Sequence, residues 1–193
     1  MVQGFLGRKV GFFVSSESWI NHQQWHYEVS KALYERGYEV SIITSKQGKL
    51  YIRSKRNGLP VCAYTKRKSL LRNLVQLIRI LRKEEIAILF INNPRDLKRA
   101  SLAARFAGVE RVIYRRGTVS HVKKTLITKL IFNHLITRII TNSGANRELM
   151  LNEQSKLFQG QTIDVIYNGL NVHKFDNKSL VFHVFRNKGE LVV

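Results

Sequence analysis

Two adjacent residues in the middle of the chain, Arg116 and Gly117, have the clearest potential for binding chemistry. An arginine cannot act as a base at neutral pH, but its planar guanidinium can hold a phosphate or a carboxylate with two parallel hydrogen bonds. We therefore expect an anion contact at Arg116, made by phosphate on a bound substrate. His121 lies nearby in the sequence and could add a second polar group. If the side chains of Arg115 and Arg116 were simply solvated, no ligand would be needed to explain them.

Two further loops carry groups that could bind a polar ligand. Trp19, close to His22, could stack on a sugar ring, although a partly buried tryptophan is the simpler interpretation. The side chains of Asn93 and Arg95 are suitable hydrogen-bonding partners for hydroxyl groups. An asparagine that caps a helix with Pro94 in its first turn explains these residues equally well.

The last two candidate loops lie near the end of the chain. Asn142 and Ser143 precede a predicted helix, where free N–H groups and the helix dipole favour an anion. Ser143 is also a suitable N-cap residue, which needs no ligand. Asn168 and Gly169 follow a short apolar run, and both residue types tolerate the positive φ of a sharp turn. Each pair could bind substrate or only shape the backbone.

Several common active-site patterns are missing from the sequence. No HExxH, GxxxxGK[ST], GxSxG or paired-carboxylate motif is present, so hydrolase, kinase and zinc-enzyme functions lack support. No glycine lies between Gly11 and Gly37, which removes the Gly-x-Gly-x-x-Gly fingerprint of dehydrogenases. Cys62 is the single cysteine and is expected in the core, so it forms no intramolecular disulfide. Acids are too sparse to favour a metal site, and we expect none.

Net charge is the most unusual property of the composition. The chain has 33 basic and 13 acidic residues, which gives a net charge of +20. Twelve basic residues and no acidic ones lie in 40–83, and eight basic and no acidic ones lie in 111–147. Such fields attract nucleic acid, anionic lipid headgroups or nucleotide phosphates. Composition does not choose among these partners.

Two predicted helices, 69–83 and 122–135, combine aliphatic residues with basic ones. This pattern is typical of helices that rest on anionic membranes, although an amphipathic helix packed on a sheet is the default. RNA binding would use the same charges and would usually add exposed aromatic residues. The basic residues expected at such an anionic surface are Arg72, Arg79, Lys83, Lys123, Lys124 and Lys129.

The elements that must position these loops alternate between strands and helices. A strand at 9–14, a helix at 21–36 and a strand at 39–44 form a βαβ unit. At 193 residues the chain is too short for two such domains. We therefore predict an α/β, Rossmann-like, doubly wound parallel sheet with helices on both faces, whose functional loops follow the carboxyl ends of the strands. The remaining predictions are a loop at 46–58, strands at 59–64, 86–91, 111–114, 139–141 and 163–167, and helices at 69–83, 94–106, 122–135 and 143–156.

Two segments near the end resemble a known family. The run from Arg138 to Leu151 reads as strand, Asn-Ser, helix, and Val165 to Phe175 reads VIYNGLNVHKF. Both, in this order and spacing, resemble the N-terminal half of family 4-like glycosyltransferases of the GT-B fold, over roughly residues 8–176. In many of these enzymes a His-Gly that touches the transferred sugar stands where this chain has Arg116-Gly117.

The resemblance implies a function and a division of the chain. Residues 1–176 would be the Rossmann-like, acceptor-binding domain, and 177–193 a hinge or linker with the first strand of a C-terminal domain that this sequence lacks. The enzyme would move a sugar from a nucleotide-sugar onto a glycan or lipid-linked acceptor in polysaccharide or lipopolysaccharide synthesis. It would do so with retention of configuration, without a metal or other cofactor. Because donor-binding residues lie mainly in the second domain, we expect little transfer by this chain alone.

Two other interpretations stay open. The chain could be a non-catalytic basic module that binds nucleic acid or an anionic membrane, or a gene fragment without a role of its own. The N-terminus is too weakly apolar for a signal peptide, and no run approaches the length of a membrane span. We therefore expect a cytoplasmic protein that could associate with the inner face of the membrane.

Overall fold

In the part of the chain that the structure describes, seven parallel strands form a single sheet. In chain order they are β1 (Lys9–Val14), β2 (Val40–Ser45), β3 (Val61–Tyr64), β4 (Ile86–Ile91), β5 (Arg111–Arg116), β6 (Arg138–Thr141) and β7 (Ile163–Val165). Their spatial order is β3-β2-β1-β4-β5-β6-β7, and every neighbouring pair is parallel. The order reverses between β1 and β4, so the switch point lies there. The structure is a computed structural model that describes residues 7–117, 125–153, 155–158 and 160–169.

Helices cover both faces of the sheet, as the sequence predicts. The two that follow β1 and β2 pack on one face, and those that follow β3 to β6 contribute to the core on the other. This arrangement follows from right-handed crossovers in a sheet that grows in two directions from its centre. The helices are α1 (Asn21–Glu35), α2 (Lys49–Arg56), α3 (Leu70–Lys83), α4 (Leu97–Ala107), α5 (Leu126–Leu130), a π-helical turn (Ile131–Leu135), α6 (Gly144–Glu153) and α7 (Ser155–Phe158).

Strand β1 shows why the central strands are apolar throughout. Phe12 and Phe13 are both fully buried and point to opposite faces. Phe12 stacks on Phe90 with 5.1 Å between ring centroids and meets Trp25 of α1 edge-on. Phe13 meets Tyr64 edge-on at 5.2 Å on the other face. A strand covered on both faces has no solvent side, so its sequence cannot alternate between apolar and polar residues.

The largest difference from the predicted elements is α2, because 46–58 was predicted to be a loop. The helix has only eight residues, no side-chain N-cap bond and a single buried apolar side chain, so the sequence carries few of the usual helix signals. Leu50 and Ser54 are buried one turn apart, and three basic residues in the last turn complement the helix dipole. A single apolar anchor and favourable charge at the C-terminus therefore form a helix that composition alone conceals.

Several element ends also differ from the prediction. The predicted helix at 94–106 begins only at Leu97, because the preceding residues form a turn. The predicted helix at 122–135 is described from Leu126 and changes to π-helical geometry at Ile131. Strand β5 extends to Arg116, two residues further than predicted. The strands predicted at 59–64 and 163–167 are shorter than predicted, and the helix predicted at 143–156 ends as α6 at 153, before α7. The predicted first strand of a C-terminal domain, within 177–193, lies outside the described residues.

Helix α3 is amphipathic, but its apolar pattern extends beyond the part that packs. Leu77 and Leu81 are buried beneath it, and Ser69 caps its first turn. Leu70 and Leu71, at its start, are 80% and 69% exposed. The first turn of α3 therefore presents two leucines to solvent.

An ion pair lies at the amino end of the sheet. Lys9 Nζ donates to Glu84 Oε2 at 2.8 Å, and Ser41 Oγ donates to the same oxygen at 3.3 Å. Burial alone would raise the pKa of the Glu84 carboxyl, but these hydrogen bonds outweigh it and lower the pKa below its ordinary value. Cys62, predicted in the core, is half-buried with its Sγ 3.6 Å from Ser41 Oγ. Burial raises the pKa of its thiol.

Glu84 should make folding stability depend on pH. A carboxyl whose pKa is lower in the folded state stabilises the fold above its ordinary pKa, and this contribution is lost as pH falls through the folded value. Urea unfolding at pH 7 should show Glu84→Gln less stable than the parent by about 1 kcal/mol, with the difference shrinking below about pH 4. Glu35→Gln, which removes the exposed pair with Lys31, serves as the control. An equal, pH-independent loss in both variants would contradict the assignment.

Candidate functional site

The carboxyl ends of the seven strands form one edge of the sheet, and the candidate loops follow them there. The loop after β1 contains Trp19, and the loop after β4 contains Asn93 and Arg95. Parallel strands bring such loops together at one end of the sheet. The residues predicted as binding groups after β5, β6 and β7 also lie at this edge: Gly117, Asn142, Ser143, Asn168 and Gly169.

A buried carboxylate joins the two loops at the switch point. Asp96 is fully buried, and its Oδ2 accepts a hydrogen bond from the Ser15 backbone N–H at 2.9 Å. Its Oδ1 accepts from Ser15 Oγ and from Arg99 Nη2, the latter at 2.9 Å. The Arg99 guanidinium lies 5.6 Å from the Tyr64 ring centroid. These contacts fix the first loop against the loop after β4, across the crevice where α/β sheets bind ligands.

A buried guanidinium joins three more segments at the same edge. Arg115 is 4% exposed and donates from Nη1 to Asn92 Oδ1 at 3.2 Å. Its Nη2 donates to Asn168 Oδ1 at 2.8 Å, and its guanidinium lies 4.5 Å from the Trp25 ring centroid. Burial lowers the pKa of Arg115 to about 10, so the side chain stays protonated at neutral pH. Arg115 thus connects the end of β4, helix α1 and the segment that leaves β7.

Gly117 leaves room for this guanidinium, and a larger residue there would require Arg115 to move. A Cβ at residue 117 would lie 2.6 Å from Arg115 Nη1, closer than a carbon and a nitrogen can approach. The Gly117 carbonyl accepts a hydrogen bond from Asn142 Nδ2 at 3.1 Å. Asn142 Oδ1 in turn accepts from Asn146 Nδ2. Ser143 Oγ accepts from the Asn146 N–H at 3.2 Å, which confirms the predicted cap of α6.

Arg116 points to the opposite face of the sheet from Arg115 because successive residues of a strand alternate. It is buried, and its guanidinium lies 5.7 Å from the Phe158 ring centroid. Two arginines that are simply solvated are therefore the wrong interpretation, since both side chains are buried. The anion contact expected at Arg116 stays a prediction.

The candidate residues after β1 and those after β4 occupy contrasting positions. Trp19 is partly buried, with its ring edge-on to Tyr27 at 6.1 Å, as the simpler interpretation of this residue requires. Asn93 Oδ1 accepts from the Arg95 N–H at 3.0 Å, so it closes a turn and does not cap α4. Arg95 is exposed. The side chain of His22, in the first turn of α1, lies outside the described part of the chain.

The predicted anionic surface is divided between two helices. Arg72, Arg79 and Lys83 are exposed on α3, and Lys129 is exposed on α5. His121, Lys123 and Lys124 lie outside the described residues. Among the helices that the structure describes, none has the length and apolar character of a membrane span. Within those same residues, no three His, Cys, Asp or Glu side chains converge as metal ligands would.

The residues that organise this edge differ from those that the sequence singles out. Asp96 and Arg115 belong to the expected loops, yet their neighbours Arg95 and Arg116 were chosen as candidates. Strand alternation, applied to a β5 that runs to residue 116, would have placed Arg115 and Arg116 on different faces. No sequence signal links Asp96 to Ser15, which lies 81 positions away.

Comparisons with solved structures agree on the fold. A glycosyltransferase from Rickettsia africae superposes with a TM-score of 0.71 at 16% identity, over 88% of this chain and 45% of its own. HepE from Anabaena, solved with UDP, gives 0.67 at 16% identity, over 86% and 45%. The lipopolysaccharide outer core galactosyltransferase WaaB gives 0.62 at 11% identity, over 84% and 46%. The chain therefore spans slightly less than half the length of these proteins.

Comparison of the sequence itself identifies the family. No curated protein matches the chain in sequence. Residues 24–174 match the model of Glycosyltransferase Family 4, which is most of the chain. This match includes the end of β6 and the Asn-Gly segment after β7, on which the resemblance was based, and the GT-B neighbours have the same α/β fold. The chain therefore belongs to glycosyltransferase family 4.

Proposed function

We propose that this chain is the acceptor-binding half of a family 4 glycosyltransferase. The enzyme would move a sugar from a nucleotide-sugar donor onto a glycan or lipid-linked acceptor in cell-surface polysaccharide or lipopolysaccharide synthesis. The observation that carries the proposal is the set of side-chain contacts that holds the loops after β1, β4, β5, β6 and β7 at one edge of the sheet. Preformed loops of this kind bind substrate with little ordering cost.

Neighbouring structures support the kinds of ligand in this proposal. HepE has been solved with UDP-glucose, and WaaB is named as a galactosyltransferase of the lipopolysaccharide outer core. In this chain, Trp19 would stack on an acceptor sugar, and Asn93 and Arg95 would hydrogen-bond its hydroxyl groups. Arg116 would contact phosphate near Gly117, and the Asn168–Gly169 segment would lead towards a donor-binding domain.

The division of labour within the enzyme follows from the same proposal. Residues 1–176 would form the acceptor domain, and 177–193 would lead into the domain that binds most of the nucleotide-sugar. The nucleotide-sugar is a co-substrate, and the reaction would need no further cofactor and would retain anomeric configuration. The chain would act in the cytoplasm.

A transfer assay tests this division. We expect the isolated 193-residue chain, given radiolabelled UDP-glucose and acceptor oligosaccharides, to transfer little or no sugar. Calorimetry on the same chain should detect binding of an acceptor oligosaccharide and weaker binding of UDP-glucose, because most donor contacts would belong to the other domain. Robust turnover by the chain alone, or binding of the donor only, would refute the proposal.

One observation favours a second role at an anionic membrane. Leu70 and Leu71 are exposed beside Arg72, and the two later basic residues Arg79 and Lys83 are exposed on the same helix. Apolar side chains flanked by cations favour insertion at the surface of an anionic bilayer. Co-sedimentation with liposomes should therefore require anionic lipid and should weaken in Leu70→Gln/Leu71→Gln. Binding to tRNA in a gel shift, without binding to anionic liposomes, would favour the nucleic-acid alternative.

A further inference from the structure

A basic groove runs along the outer side of α2, next to the loop that follows β1. Its volume is about 430 Å³, and it opens to solvent. Three of its six lining residues are cationic, and none is acidic. The lining residues are Trp19, Lys49, Ile52, Arg53, Arg56 and Asn57.

The groove exists because 49–56 is helical. Lys49, Ile52, Arg53 and Arg56 are spaced i, i+3, i+4 and i+7, so they share one face of α2. As a loop, the same residues would scatter their charges. As a helix, they present three cations and the half-exposed Ile52 in one row.

Aromatic rings hold the central cation in place. The Arg53 guanidinium lies 4.9 Å from the Trp19 ring centroid and 4.6 Å from that of Tyr27. The two rings meet edge-on at 6.1 Å, so they form a fixed support for the charge. A guanidinium placed in this way loses little rotamer freedom when it binds an anion.

The groove adjoins the loop after β1, at the carboxyl edge of the sheet. The Lys49 N–H donates to the Glu17 carbonyl at 3.3 Å, where α2 begins. A Cβ at Gly48 would lie 3.3 Å from Glu17 Cα and 3.1 Å from the Ser45 carbonyl, so the loop after β1 packs closely on the start of α2. Glu17 is the nearby acid, and its carboxylate accepts from Ser45 Oγ at 2.9 Å.

We propose that this groove binds a phosphate group attached to an apolar chain. Phosphate carries about −1.5 to −2 charges and several acceptor oxygens, which suits a row of Lys and Arg. The half-exposed Ile52 supplies an apolar wall for the attached chain. If this ligand is the acceptor, the inference rests on the proposed function. An acceptor held in the groove by its phosphate would have its other end at the carboxyl edge of the sheet. The existence of the binding site itself depends only on the groove.

Calorimetry with three soluble probes tests the chemistry, using the full chain and concentrations below micelle formation. Octyl phosphate carries both features, inorganic phosphate only the charge, and octyl glucoside only the alkyl chain. Octyl phosphate should bind at least about tenfold more tightly than either of the others, because charge and apolar contacts contribute together. Equal binding of inorganic phosphate or of octyl glucoside, or no binding of octyl phosphate, would overturn the proposal.

Matched variants test the location. Arg53→Gln/Arg56→Gln should weaken octyl phosphate binding by about tenfold or more, through loss of two charged contacts. Lys98→Gln/Arg105→Gln removes the same charge from α4, on the other face of the sheet, and should change it by less than about twofold. Ile52→Gln should weaken octyl phosphate but not inorganic phosphate. Equal losses in the two double variants would mean general attraction to a basic protein, and would contradict a site in the groove.

The outcomes separate this site from the proposed function and from a nucleic-acid groove. A chain that binds acceptor oligosaccharide but not octyl phosphate would disprove the groove assignment and leave the acceptor role standing. If the isolated chain binds octyl phosphate and also transfers sugar, the groove assignment would stand and the proposed division of function would be disproved. A short single-stranded oligonucleotide that displaces octyl phosphate at lower concentration, with the same dependence on Arg53 and Arg56, would assign the groove to nucleic acid and overturn the proposal.

Discussion

Replacing Asp96 with alanine is expected to lower the free energy of unfolding by about 3–5 kcal/mol, because it leaves a cation without its buried partner. Asp96 is fully buried and accepts hydrogen bonds from Ser15 and Arg99. Without it, the partly buried Ser15 N–H and Arg99 guanidinium lose their common acceptor. Thermal unfolding should show a drop in Tm of about 10 °C.

Asp164→Ala is the matched control for Asp96→Ala. It removes the same side chain from an exposed ion pair, in which Asp164 Oδ2 lies 3.0 Å from Arg138 Nη1. Exposed pairs of this kind contribute about 0–1 kcal/mol, so its Tm should stay close to that of the parent. Similar losses in the two variants would show that the contacts at the switch point are not the source of the effect.

Replacing Arg115 with lysine is expected to cost about 2 kcal/mol, although the charge is kept. An ammonium cannot donate to Asn92 and Asn168 together in the geometry of a planar fork, and it loses the stacking on Trp25. The buried charge then lacks part of its hydrogen bonding. Urea unfolding measures the loss, and amide hydrogen exchange should become faster around Asn168.

Arg79→Lys on α3 is the control for Arg115→Lys, since Arg79 is exposed on the helix surface. It should change stability by less than about 0.5 kcal/mol. Faster exchange around Asn168 in Arg115→Lys alone would support the contact as the cause. Unchanged exchange there, despite a loss of stability, would show that Arg115 acts only on the core.

The fold was predictable because its signals are local and repeated. Strands β1 and β4 are continuous apolar runs, and the helix that follows β1 ends at a glycine with positive φ, Gly37. Such signals are contained within one element and its ends. The sequence segments after β6 and β7, which resemble those of family 4-like glycosyltransferases, then identified the kind of α/β sheet. Helix α2 was missed because eight residues with one buried leucine give too little periodicity to compete with four basic side chains.

The site was predictable only as a set of loops. The carboxyl-edge rule selected loops that do lie at one edge of the sheet, but within each loop the sequence cannot distinguish a side chain that points inward from its neighbour. Arg115 and Arg116 differ only by their position along β5, and the strand was predicted two residues too short to order them. Asp96 depends on Ser15, which lies in the loop after β1, so its role follows from the fold and not from its own neighbours.

The contact between Arg115 and Asn168 has a mechanical consequence. Beyond β7, the Ile166 N–H still donates to the Thr141 carbonyl at 2.8 Å, and Asn168 is then held by the guanidinium of Arg115. The position of Asn168 is thus set partly by a residue that also donates to Asn92 and lies close to Gly117. A ligand that displaced this guanidinium would also remove the Arg115–Asn168 contact, so the β5 loop and the position of Asn168 are coupled through one side chain.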